Sequence, residues 1–595
     1  MGKLLKLFFV CVLILALSIS AYSQQTSWEE LNSKVIMLSQ KGMYSEAAKV
    51  AEEALKIAEK TFGNNHPNVA TSLNNLASIQ TTRGEYSQAE LLYKRSLAIS
   101  NKSFKPDHPE IARILNNLGL LYFYQGKYEE AELLLKRALG IKRKALEKDH
   151  PDIATSINNL AELYSSQGKY EEAEPLFKQA LGIFSKAYGP DHSKVAECLN
   201  NLGGLHQSKG KYTEAESLYK RSLEIKIKAL GLNHPYIAVS LNNLAQVYMA
   251  QGRYAEAESL HKRSLEIKIK ALGPNHPDVA LSFNNLARVY ISQGRYAEAE
   301  SLLKQALGIF SKAYGPDHSK VGICLNNSGE LFKVQGKYEE AEPLFKQALG
   351  IFSKAYGPDH SKVAECLNNL GGLHESKGKY TEAESLYKRS LEIKIKALGP
   401  NHPDVALSFN NLARVYISQG RYAEAESLLK QALTIQEEVY GSNHAYVARS
   451  LNDLAFLYIS QKKYPKAEPV LRRAILIEEN TLGKNHPVLA ASLSNLAKLY
   501  KAQGNFSEAE SKFKQALMIF EEVFGERNLY VAKSLNYLGD LYIDEGKYTE
   551  ALSLFKKSLE IYKVTLGLDH PDAMEVLKNM KRLNSSGNGL QKTNP

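Results

Sequence analysis

Apolar residues along the chain fall into short stripes at helical spacing, and the stripes come in pairs. Residues 277–314 read PDVALSFNNLARVYISQGRYAEAESLLKQALGIFSKAY. Phe283, Leu286, Ala287 and Tyr290 predict a first helix with one apolar face. Gly294 ends it, glycine being favoured just past a helix C-terminus. Ala299, Leu303, Ala306 and Leu307, with Ile309 and Phe310 beyond, predict a second helix. The run YGPDH at 314–318 closes the pair with two helix breakers. Asp317, or the asparagine at equivalent positions, is expected to cap the next helix. A proline in its first turn lacks only an N–H that has no helical partner there.

The pair repeats every 42 residues. His66, His108, His150, His192, His234, His276, His318, His360, His402, His444 and His486 keep that spacing, Asn528 takes the next place, and His570 resumes. No insertion breaks the count, as expected where each hairpin stacks on its neighbours. Whole blocks have been copied: 167–231 and 335–399 differ only at Gln207 and Glu375, and 271–307 is identical to 397–433. The fold class expected is all-α, a solenoid of thirteen helix pairs at 27–62 and then every 42 residues, with a closing helix over 571–584.

Leu286, Ala287, Tyr290, Gly294, Tyr296, Ala299, Leu303 and Ala306 resemble the signature of the tetratricopeptide repeat. The longer period and the GPDHP connection resemble the version found in kinesin light chains. The resemblance covers about 27–584 and is one of repeat type; the heptad segment that joins kinesin light chains to their heavy chains is not seen. It implies a right-handed superhelix whose first helices line a concave groove. It also implies that groove asparagines and basic residues grip peptides, the matching positions being Asn284, Arg288, Asn410 and Arg414. Glutamates such as Glu162, Glu330 and Glu375 depart from a uniformly basic groove.

The ends read differently. MGKLLKLFFVCVLILALSISAYSQQ carries Lys3 and Lys6, an apolar run from Leu7 to Leu17, then small and polar residues. That is the plan of a secretory signal peptide, with cleavage expected after Ser23 and export to the periplasm or the cell exterior. The run is short for a membrane span, and no span is expected after cleavage. The domains are therefore 1–23 signal peptide, 24–584 solenoid and 585–595 a disordered polar tail, with no catalytic domain appended. Lys34 and Lys581 stand where inner units carry Leu or small residues, as expected of capping units.

A hydrophobic share of 44% and a charged share of 23% suit a folded chain. The net charge of +11 invites a nucleic-acid partner, but 75 basic and 64 acidic residues are interleaved without a basic stripe, so none is expected. Cys198, Cys324 and Cys366 share one repeat position and are expected as small buried thiols. The histidine ladder holds no metal on this reading. Packed helices lie about 8–10 Å apart, whereas zinc ligands sit about 2 Å from the ion. The EAE runs at 298–300 and equivalents are expected as solvated first-turn glutamates. No phosphate loop, nucleophile elbow or Cys–His arrangement appears, so neither catalytic residues nor a cofactor are assigned.

The paired asparagines of LNNLA remain. Asn284, Arg288 and Ile291 lie one residue, about 100°, round the helix from Phe283, Ala287 and Tyr290. By resemblance this second stripe faces the groove. A near-constant amide, able to donate and accept, would hold an extended backbone, while the varied neighbour selects side chains. The alternative is a structural ladder of amides between helices, the preferred reading for Asn285 and its equivalents. The candidate groove residues are Asn242, Met249, Leu281, Asn284, Arg288, Ile291, Leu407, Asn410, Arg414, Ile417, Phe456 and Ile459. The function expected is an exported, non-enzymatic scaffold that binds proteins or peptides. Alternatives are a regulatory or sensor subunit for a separate enzyme such as a caspase-like protease, and a structural envelope or matrix protein.

Overall fold

The computed structural model describes residues 27–39 and 43–591. Helices are numbered in chain order from α1 (27–39) and α2 (Tyr44–Phe62) to α27 (Pro571–Gln591). Odd-numbered helices open each hairpin and even-numbered ones close it. α13 (Pro277–Ser292) and α14 (Tyr296–Tyr314) show the plan, the first buried through Val279, Ala280, Leu286, Ala287, Val289 and Tyr290, the second through Ala299, Leu303, Ala306 and Phe310. Among the described residues no strand is present. The helices divide into two units, one holding the described residues up to 167 and residues 171–189, the other residues 168–170 and 190 onward.

The helices begin as the sequence predicts, but a different residue caps them. His276 has extended backbone (φ −77°, ψ 141°), and its Nδ1 accepts the Asp278 N–H at 3.1 Å. The same ring-to-backbone bond recurs from His66 to His570. The expectation that Asp317 and its equivalents cap is therefore corrected. The histidine adjoins the first helical residue, and its ring reaches the amide two residues on. Asp317 instead accepts from Lys354 at 2.6 Å, and Asp191 from Lys228 at 2.6 Å, each reaching the next hairpin.

The second glutamates of the EAE runs are also not solvated. Glu258 keeps 14% side-chain exposure and accepts from Lys262 at 2.7 Å, Gln293 at 3.1 Å and Arg295 at 2.9 Å, tying α12 (Tyr254–Leu272) to the following hairpin. Burial alone would raise its pKa, but the hydrogen bonds from Lys262 and Arg295 outweigh burial and hold it at about 2. Cys198, Cys324 and Cys366 are buried thiols, pushed up to about 12 by burial. At the end of the chain α27 runs to Gln591, past the expected boundary at 584 and into the stretch read as a disordered tail. The stretch 1–23, read as a signal peptide, lies outside the described residues. Among those described, no helix is long and apolar enough to cross a membrane.

Candidate functional site

The site begins with the paired amides, and the first of the pair is buried in most hairpins. Asn284 is 3% exposed and Asn410 is not exposed at all; Asn242 is buried as well. Asn327 Nδ2 donates to Asn284 Oδ1 at 3.0 Å, from the second asparagine of one hairpin to the first of the hairpin before. The same rung, 2.8 to 3.2 Å long, joins Asn117 to Asn74, Asn159 to Asn116, Asn243 to Asn200, Asn369 to Asn326, Asn411 to Asn368 and Asn579 to Asn536. Asn242 Oδ1 instead meets Nδ1 of the buried His261 at 2.9 Å, and Asn410 Nδ2 donates to Ser450 Oγ at 2.7 Å. The reading of Asn242, Asn284 and Asn410 as groove lining is corrected. The first amide points into the packing between helices, where a polar side chain of an adjoining helix bonds it.

The open stripe lies one further helical step round. On α13 it runs through Leu281, Asn285, Arg288 and Ser292, of which Arg288 is exposed and the rest half-buried. On α21 (Ala445–Ser460) it runs through Arg449, Asp453, Phe456 and Ser460, with Phe456 49% exposed. Ile417, 5% exposed, belongs to the packed core, which corrects its place in the groove. Met249, Leu281, Ile291, Leu407 and Ile459 are half-buried. Met249, Leu281, Ile291 and Ile459 each pack against a core cluster. Of the predicted residues, Leu281, Arg288, Leu407, Arg414 and Phe456 lie on the stripe, the two leucines half-buried.

Three successive first helices, α15 (Ser319–Val334), α17 (Ser361–Ser376) and α19 (Pro403–Ser418), close round a cavity of about 390 Å³. Lys333, Gly372, Glu375, Ser376, Arg414 and Ser418 line it, with Tyr380 from α18 (Tyr380–Leu398). Gly372 leaves the floor open; a Cβ there would meet the Tyr387 hydroxyl at 3.4 Å and Lys333 Nζ at 3.7 Å. The charges are held by one another: Lys333 with Glu330 at 2.8 Å, Arg414 with Glu375 at 3.5 Å, and the Tyr387 O–H donating to Glu375 at 2.7 Å. Asp453 stands beside them where other hairpins carry the second asparagine. Burial raises its pKa, more than Arg414 and Arg449 lower it. Ser376, Tyr380 and Ser418 escaped the sequence reading because a register set by Asn284 places them off the stripe; Lys333, in the register of Ile291, and Gly372, in that of Arg288, were given no role there.

In this arrangement a shallow polar cleft presents hydroxyls and paired charges, and the next first helix carries one large exposed ring. Among the described residues no group of three or more His, Cys, Asp and Glu side chains is placed to hold a metal ion.

A comparison with the curated proteins found no match. Among solved structures, a kinesin light chain-type protein of Podosopora anserina with nearly identical TPR-like repeats is 32% identical over 34% of this chain and 97% of its own, with a TM-score of 0.31. BtubC (BKLC) from P. vanneervenii is 25% identical over 40% of this chain and 92% of its own, TM-score 0.31. A Rap protein complexed with Competence and Sporulation Factor is 15% identical over 70% and 99%, TM-score 0.43. Sequence models described as tetratricopeptide repeat match residues 31–228 and 236–522 in overlapping runs, and a second such model matches 531–572. With most of its length matched in this way, the chain belongs to the tetratricopeptide repeat family.

Proposed function

We propose that this repeat scaffold is an exported, non-enzymatic binder that captures a segment of a partner protein along the first-helix stripe of α15 to α21. The observation that carries this reading is the cavity at Gly372, where three hairpins converge Lys333, Ser376, Arg414 and Ser418, with the exposed ring of Phe456 on the next first helix. A scaffold fold supplies surface, and hot spots on such surfaces are aromatic or arginine side chains beside a pocket. The copied blocks support the same place. Their one difference, Gln207 against Glu375, falls on this cavity's lining, where Glu375 faces Arg414. Export rests on the tripartite pattern of residues 1–23.

The test places a photo-crosslinking residue at Ser418 in the full chain, with a second at Glu266, whose side chain is 66% exposed on a second helix. Partners crosslinked from Ser418 and not from Glu266 are identified by mass spectrometry. They are expected to be lost from the Arg414→Ala/Phe456→Ala double variant. Identical recovery by parent and double variant overturns the site. Export predicts a mature N-terminus at Gln24, read by N-terminal sequencing of the secreted or periplasmic fraction.

A further inference from the structure

The capping histidines have a second end, and it faces a helix six hairpins away. In the second unit His486 Nδ1 caps α23 (Pro487–Ala502), while its Nε2 lies 3.1 Å from the Ala250 carbonyl at the end of α11 (Pro235–Ala250). With Nδ1 accepting, the neutral ring carries its proton on Nε2 and donates it to that carbonyl. Asn528, which replaces histidine at the start of α25 (Leu529–Asp544), does the same with an amide. Its Oδ1 accepts the Tyr530 N–H at 2.9 Å and its Nδ2 donates to the Gln293 carbonyl at 3.1 Å. One residue type stands in for the other because each offers an acceptor at one end and a donor at the other.

The close approach of the ring to the preceding turn repeats at His402, His444 and His570, with His444 Nε2 packed there without a hydrogen-bond partner among the described residues. A Cβ on Gly210 would lie 2.2 Å from His444 Nε2, and one on Gly336 2.7 Å from His570 Cδ2, so glycine is required where these rings press on the preceding turn. Gly168 meets His402 and Pro403 in the same way. Tyr254 stacks on Phe524 across this seam at 5.3 Å, and Leu529 packs on the cluster of Tyr290 and Tyr296. The second unit is thus a coil whose turns touch.

We infer that His444, His486 and His570 are acid-labile latches that hold successive turns of this coil together and release them on protonation. A proton on Nδ1 turns the cap acceptor into a donor facing another N–H, and places positive charge at a helix N-terminus. The ring then cannot serve both ends. Burial favours the neutral form of all three, bringing His444 to about 4, so acid works against the latched form from the ordinary value of 6.5 downward. The groups facing them are few. His444 has the Lys209 backbone and the rings of Tyr440 and Tyr446, and His486 the Ala250 carbonyl. His570 has the Val334 backbone with Asp572, which opposes the shift, and Lys533, which adds to it. Parting the turns would open the first-helix stripe to a partner from the side; that consequence rests on the function proposed above, whereas the latch does not.

Small-angle scattering of the full chain without any ligand, from about pH 7.5 to pH 4, tests the latch alone. The radius of gyration of the parent is expected to rise as the pH falls below the histidine range while helical circular dichroism persists. The His444→Asn/His486→Asn/His570→Asn variant, which copies the natural choice at Asn528, is expected to keep its neutral-pH radius throughout. The corresponding alanine variant is expected to be expanded already at neutral pH. A parent whose radius does not change, or an asparagine variant that swells as the parent does, overturns the inference. Because carboxylates titrate in both proteins, the asparagine variant separates their effect from that of the histidines even where the alanine variant fails to fold.

Discussion

Asparagine is an indifferent helix former because its amide competes for backbone hydrogen bonds. Two side by side in most first helices are accounted for by the rung they build, in which the second amide of one hairpin donates to the first of the hairpin before. Another slot shows how far a buried residue varies when its neighbour is constant. Lys394 donates to Ser408 Oγ at 2.9 Å, while one hairpin on Ser450 donates to Gln436 Oε1 at 2.7 Å, and the next slot holds Glu478, which accepts from Ser492 at 2.9 Å and from Asn452 at 3.1 Å. Glu478 is fully buried and its Oε2 has no partner. Burial raises its pKa to about 7 against the lowering pull of Ser492 and Asn452. With the folded value above the unfolded one, its contribution is fully present below about pH 4.5 and is lost as the pH rises through 7. Glu478→Gln is therefore expected to be more stable than the parent at pH 8, by roughly 1–3 kcal/mol. Urea unfolding at pH 5 and pH 8 checks this: the gain must shrink at the lower pH.

Between helices, the same contacts recur with little variation because the 42-residue period places the same groups opposite one another. Glu258 with Arg295 and Asn284 with Asn327 are the polar ties, and the apolar stripe between them carries the packing. Removing Asn284 leaves the half-buried Asn327 amide without its partner. Asn284→Leu is expected to cost about 1–3 kcal/mol, the penalty of an unsatisfied buried group, although leucine is the better helix former. A urea midpoint equal to or above that of the parent would contradict the ladder. Crosslinking from Ser418 should survive this substitution, since the sealed amide does not reach the stripe.

A chain built from stacked hairpins owes its stability to neighbours, so one hairpin is removable where half of one is not. Excision of residues 277–318, one period within the second unit, is expected to leave a cooperatively folded protein with the same helicity per residue. After the excision each capping side chain in that unit again meets a first helix six hairpins back. Excision of residues 277–295, one helix and its turn, is expected to expose the apolar face of α14 and α12 and to lower the melting temperature sharply. Circular dichroism melts of the two deletions distinguish the cases; equal losses would mean that the hairpin is not the unit of stability.

The helix pairs, their period and their apolar faces were legible in single residues such as Leu286, Tyr290, Gly294 and Ala299, because helical periodicity and breakers act over short stretches of chain. The family followed from the same positions. The groove did not, because Asn284 and Asn285 differ by one step of about 100° on the helix. Nothing local says which of them a neighbouring helix covers; that depends on how hairpins rotate against one another as they stack. The second role of the histidines was equally out of reach. His486 meets Ala250 across 236 residues, and a contact at that distance is fixed by how the hairpins of the second unit wind, a property the period alone leaves open.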